Sequence, residues 1–107
     1  MKAKFKALDS TEKLEDLFEK SSKNPIVLFK HSDTCSISLG VFEEISNADV
    51  EINIVVVQQN RDISNSIAEM TGIRHQSPQA IVLKNGRPVY NASHYDITAD
   101  AVKEACS

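Results

Sequence analysis

The stretch FKHSDTCSISLGVFEEI, residues 29–45, holds the residue types best suited to chemistry, with Cys35 where an apolar run gives way to a helical pattern. If Asp33 or Thr34 caps that helix, Cys35 falls in its first turn, where unpaired backbone N–H groups and the helix dipole favour an anion. Such a site favours the thiolate, which is the nucleophilic form of cysteine. Lys30 and His31 would add positive charge, and Asp33 would oppose it. Ser38 stands three residues on, where a dithiol redox motif has its second cysteine. A C-x-x-S arrangement can form a mixed disulfide but cannot resolve it with its neighbour. Ser38 either donates a hydrogen bond to the thiolate or is an ordinary serine on the helix surface. Cys35 itself has a competing reading as an inert packing group, since free cysteines are among the most buried residues.

Three further features bear on this chemistry. Ser77-Pro78 is a candidate cis peptide bond in a tight turn, placed by the element order beside the Cys35 end. His31, His75 and His94 are candidate auxiliary groups, the last two as proton donors or hydrogen-bonding residues near that turn. Cys106, close to the C-terminal end, is either a remote resolving thiol for Cys35 or an incidental free thiol. The three histidines and two cysteines share no metal-binding spacing, so no metal site is expected.

The elements that must position these residues follow from periodicity. Asp9 and Glu12 have capping-box spacing with Asp9 at the cap, and Leu14, Leu17 and Phe18 form a stripe, which predicts a helix over 10–21. The run IVLF after Pro25 predicts a strand covered on both faces. Ile37, Val41 and Ile45, widened by Leu39 and Phe42, predict the helix after Cys35. EINIVVVQQ predicts a second strand, and Ile63, Ile67 and Met70 a helix stopped by Gly72. Asn85-Gly86 between two apolar runs predicts a hairpin, with Pro88 favouring an edge strand. Thr98 is a plausible N-cap for a last helix. This order predicts an α/β fold, a four-stranded mixed sheet with helices on both faces and a right-handed βαβ unit. The whole chain, 1–107, reads as one domain.

Composition removes several function classes. With 107 residues, 41% apolar and 25% charged, the chain has the make-up of an ordinary globular domain. A formal charge of −3 gives no support to nucleic-acid binding. No apolar stretch is long enough to cross a membrane. The first 25 residues carry several acids and no continuous apolar segment, which argues against a signal peptide. Two cysteines are too few for a disulfide scaffold, and the expected setting is cytoplasmic, with free thiols. Composition leaves the oligomeric state open, with a monomer slightly favoured.

The blocks FKHSDTCSIS, SNSIAEMTGIRHQSPQAIVLKNG and SHYDIT, at their separations, resemble the monothiol bacilliredoxin family of thioredoxin-like proteins, in the branch with a Thr-Cys-Pro-Ile-Ser signature. Together with the element order they cover nearly the whole chain. The resemblance implies a thioredoxin-like three-layer α/β/α fold, with Cys35 as the redox thiol and Ser77-Pro78 as the cis-proline turn. Thr34, Ile37 and Ser38 match their signature places. The candidate site is then Cys35 and Ser38 as catalytic residues, with Thr34, Ser36, Ser77 and Pro78 as substrate-binding residues. The one departure is Ser36, where the signature has proline; its N–H or hydroxyl could bond the sulfur, and the small thiol served could differ.

The activity so implied is removal of a low-molecular-weight thiol, bacillithiol, from S-thiolated client proteins. Cys35 would take the modifier as a mixed disulfide, and a second small thiol or a reductase would regenerate it. No bound cofactor is expected; the small thiol is a co-substrate. Two alternatives are a thiol peroxidase working through a Cys35 sulfenic acid and a non-catalytic thioredoxin-like binding module.

Overall fold

The computed structural model describes residues 3–107. Their elements run β1 (Lys4–Ala7), α1 (Thr11–Lys20), β2 (Ile26–His31), α2 (Ser36–Ile45), β3 (Glu51–Val56), α3 (Arg61–Thr71), β4 (Gln79–Lys84), β5 (Arg87–Ser93), a 3-10 turn (His94–Asp96) and α4 (Ala99–Ala105). The strands form one sheet in the order β1-β3-β2-β4-β5. β1 and β2 both pair parallel to β3, while β4 runs antiparallel to β2 and β5. The sheet has five strands where the sequence predicts four. The added strand is the edge segment KFKA, whose exposed lysines hide any apolar run.

Strand alternation divides the core in two. Val27 and Phe29 of β2 pack with Val41 and Ile45 of α2 and Val102 of α4. Ile26 and Leu28 pack on the other face with Leu14 and Leu17 of α1 and with Ile63 and Ile67 of α3. All six residues of β2 are buried, as a central strand covered on both faces requires. The last two of the six keep the alternation, so Lys30 continues toward the α1/α3 face and His31 toward α2.

The start of α1 differs in one detail from the sequence pattern, while the Gly72 stop and the Thr98 cap follow it. Ser10, not Asp9, caps α1, its hydroxyl accepting from Lys13 N–H at 3.1 Å. Asp9 instead pairs with Lys13 Nζ at 2.8 Å. α3 stops at Gly72 with φ 73°. Asn85 (φ 53°) and Gly86 (φ 72°) are both left-handed, the type I′ requirement of the hairpin. β5 is an edge strand carrying Pro88, with a register shift between Val82 and Leu83. Thr98 caps α4 through Ala101 N–H.

Candidate active site

β2 delivers its chain to the junction His31-Ser32-Asp33-Thr34, and α2 starts immediately after. Cys35 is the N-cap itself, with φ −110° and ψ 122°, and no side chain caps the helix. This places the thiol one residue earlier in the helix than a cap at Thr34 would, and two earlier than a cap at Asp33. The sulfur therefore stands on the residue whose side-chain oxygen ordinarily receives the N2 or N3 N–H. Cys35 is half-buried and free.

Ser38, at N3 of α2, is fully buried. Its Oγ accepts the Ser32 N–H at 3.0 Å and lies 2.9 Å from His31 Nδ1. Neither sequence alternative for Ser38 describes this arrangement: it makes no hydrogen bond to Cys35, and it is not on the surface. It holds the loop before Cys35 onto the helix after it. His31 is wedged between aromatic rings, with centroids 6.0 Å from Phe29 and 5.3 Å from Phe42. Burial pushes its pKa below the ordinary histidine value, against the opposing charge of Asp33. The ring is therefore neutral at pH 7.

Sequence reasoning missed the outer bracket of the same loop. Gln58, just past β3, donates through Nε2 to Ser32 Oγ at 2.6 Å and to Thr34 Oγ1 at 3.0 Å. Its Oε1 accepts the Asp33 N–H at 3.2 Å. One amide thus satisfies three groups of the loop, and Thr34 is tied through it. A glutamine after a strand reads as ordinary loop polarity, so the sequence carries no local signal for this clamp. Ser36 opens α2 and is exposed, beside the thiol.

The second strand pair brings in the proline turn. Ser77-Pro78 is cis. β4 pairs with β2 as far as Lys30↔Gln79, so Ser77 and Pro78 lie beyond the end of β2 where the Cys35 loop begins. The His94 N–H donates to the Pro78 carbonyl at 3.0 Å, anchoring the turn from the far side. His94 contributes by its backbone, in a left-handed conformation at φ 55°. Ser77 Oγ is a buried atom with no hydrogen-bond partner.

Lys30 does not charge the Cys35 loop directly. Its side chain, 1% exposed, turns to the α3 face, where Nζ lies 3.1 Å from His75 Nδ1. Ser64 Oγ is 3.2 Å from the same nitrogen. Burial pulls the Lys30 pKa down to about 8. Burial first, then the charges of Lys30 and Arg61, hold His75 below the ordinary histidine range.

Cys106 is at the other end of the sheet. It ends α4 and borders an open cavity of about 320 Å³ with Pro25, Lys84 and Asn85, at the start of β2 and the end of β4. β2 alone spans about 16 Å, whereas disulfide-bonded Cα atoms lie within about 7 Å. Cys106 cannot resolve Cys35 within one folded chain, so the resolving role is set aside, and the peroxidase alternative loses its second thiol. No group of three or more His, Cys, Asp or Glu among the described residues could hold a metal. Nor is any helix of the described residues long and apolar enough to cross a membrane.

A thiol at a strand-to-helix switch, facing the end of a sheet that also carries a cis-proline turn, defines a thioredoxin-like thiol oxidoreductase. A thioredoxin-fold protein described as an oxidoreductase superposes with TM-score 0.86 at 32% identity, over 94% of this chain and 92% of that one. Thioredoxins from Schistosoma mansoni (18% identity, TM-score 0.71, 96% and 93% covered) and Trypanosoma brucei brucei (12%, 0.73, 94% and 86%) share the fold. Residues 6–102 match the model of the family Monothiol bacilliredoxin BrxC, and the chain belongs to that family.

Proposed function

We propose that the protein removes bacillithiol from S-thiolated proteins through a mixed disulfide on Cys35. The observation that carries this reading is the placement of Cys35 at the uncapped N-terminus of α2, with a tied-down serine at the position of a resolving cysteine. The Cys35 thiolate attacks the modifier sulfur, and the client leaves with the electron pair of the broken S–S bond. Cys35 then carries the modifier. A second small thiol, or a separate reductase, attacks that disulfide and restores Cys35.

Two groups support substrate handling. Main-chain groups of the Ser77-Pro78 turn align the extended backbone of a client, and Thr34 and the exposed Ser36 border the thiol. Serine at position 36 keeps an N–H that proline lacks, so an extra donor sits beside the sulfur where the family signature has none. That donor is the feature that sets the preference among small thiols.

The test is transfer followed by intact mass. Purified protein is mixed in parallel with bacillithiolated, glutathionylated and cysteinylated clients, and both client release and the mass gained on Cys35 are followed. Release from the bacillithiolated client, lost in Cys35→Ala and kept in Cys106→Ala, is the expected result. Equal activity in the two variants would sink the reading. Faster release from the glutathionylated client would replace bacillithiol as the co-substrate.

A further inference from the structure

Lys30 is a buried cation with no counter-ion. It occupies the penultimate position of β2, is 1% exposed, and forms no ion pair among the described residues. Taking an ammonium out of water is costly unless something nearby compensates. Its one side-chain hydrogen bond among the described residues is the 3.1 Å approach to His75 Nδ1. Lysine has donors only, so His75 Nδ1 accepts and the proton of the neutral ring rests on Nε2. Ser64, itself buried, closes on the same nitrogen from α3. His75 is exposed, three residues before Pro78 in the turn that ends at the Cys35 side of the sheet. An inaccessible ammonium is thus joined through one imidazole to solvent, in the segment that leads into the Ser77-Pro78 turn.

We infer that Lys30 and His75 form a proton relay that protonates the thiolate released when Cys35 takes over the modifier. The inference rests on the thiol-exchange reading and adds the source of the proton. As Cys35 sulfur bonds to the modifier sulfur, the old S–S bond breaks and the client sulfur leaves with its electron pair. His75 gives its Nε2 proton to that sulfur while a Lys30 Nζ proton passes to Nδ1, leaving a neutral amine. When the second small thiol is deprotonated for its attack on the mixed disulfide, its proton returns along the same path. No oxidant or reductant beyond the two thiols is consumed.

The charges around the pair fit this direction. From α3, Arg61 faces His75 and disfavours a resting imidazolium, as does Lys30 from β2. Asp62, next to Arg61 in the first turn of α3, is exposed, and Asp33 acts on His31 instead. His75 therefore conducts the proton without storing it, and Lys30 is the store. Lys30 touches no substrate and acts through His75.

Leaving-group dependence separates a proton donor from a structural lysine. Mixed disulfides of bacillithiol are prepared with thionitrobenzoate, a weakly basic thiolate, and with a cysteine peptide, a basic one. Wild type, Lys30→Met and His75→Gln are compared, with His75→Gln on an exposed loop guarding against a folding defect in the first variant. Both variants are expected to slow peptide release about tenfold more than thionitrobenzoate release at pH 7, at or below the low end of a positioned acid's contribution. The wild-type advantage should fade as pH rises past about 8, where Lys30 loses its proton. Equal slowing with both leaving groups, or no slowing, overturns the relay while wild-type turnover leaves the exchange reading standing. A wild type that releases neither leaving group overturns both.

Discussion

Cys35 stands at the N-cap position of a ten-residue helix, beside backbone N–H groups that no side chain caps, whereas Cys106 follows a seven-residue helix at its carbonyl end. Burial pushes the Cys106 thiol up, and Lys84 offsets only part of that. Helix dipoles act in opposite senses at the two places, favouring an anion at the first and disfavouring one at the second. The loop before Cys35 is bracketed by Ser38 and Gln58, while Cys106 borders a cavity and the chain end. Two residues of one type thus occupy opposite helix ends, one in a loop tied down on both sides and the other beside a cavity.

The comparison breaks most visibly at the sulfur atoms. Cys35→Ala should reduce client release to the uncatalysed background, and Cys106→Ala should leave it intact, measured by intact mass. Comparable loss in both would place function at the wrong end of the sheet.

The next effect is on stability and concerns the charge that only the Cys35 end buries. Lys30 has a folded pKa of about 8 against an ordinary 10.5. Below pH 8 the folded state must hold a desolvated cation, and the unfolded state binds more protons between 8 and 10.5, so stability rises across that window. Lys30→Met should therefore stabilise the fold by about 2–3 kcal/mol at pH 7. Urea midpoints of variant and wild type should converge by about pH 10.5. A variant that is less stable at pH 7 would show that Lys30 contributes net stability through its contacts. A gain would match the usual exchange of stability for function at active sites.

Smaller effects sharpen the role of the loop. Ser38→Ala strips the buried Ser32 N–H of its acceptor and should cost about 1–3 kcal/mol. Its transfer rate should fall as well, because the loop carries Cys35. Gln58→Ala leaves the exposed Asp33 N–H and Thr34 hydroxyl to water and the Ser32 hydroxyl to its 3.4 Å neighbour Thr34 Oγ1, so its cost should stay at about 1 kcal/mol, with a modest rate loss in the same assay. Cys106→Ser should sit within about 1 kcal/mol of wild type in urea unfolding. A larger cost there than at Ser38 would reverse the order of the two ends.

Much of this was readable in advance, for identifiable reasons. Asn85-Gly86 specified its turn because both positions need positive φ. Ile26 to Phe29 announced a central strand by being apolar throughout, and the Cys35 junction followed from the change of period after it. Ser77-Pro78 was a candidate cis bond on its dipeptide and resemblance. What escaped was set by tertiary contact. β1 has only Phe5 as a partly buried side chain among its four residues, so nothing local distinguishes it from a tail. Lys30 reads as a surface cation, and only strand alternation within a two-sided sheet turns it inward. Ser38 and Gln58 bind groups whose positions depend on the approach of two different strand ends. Leu39 was assigned to the apolar face of α2, yet it is 53% exposed, because the sheet covers only the Ile37–Val41–Ile45 side.

The strand order also has a consequence in time. β1 leaves the site of synthesis before the other four strands, but its partner among the described residues is β3, which lies between it and β2 and is about 45 residues behind it in the chain. Until β3 has been made, β1 has nothing to pair with, although α1 and β2 already exist. The sheet must therefore grow inside out, from the β2–β3 pair toward β1. Pulse-labelled amide exchange during refolding should find Lys4 and Leu8, whose N–H groups donate to Val50 and Ile54 carbonyls, protected after Val27 and Phe29. Earlier protection of β1 would require contacts that the finished molecule does not contain.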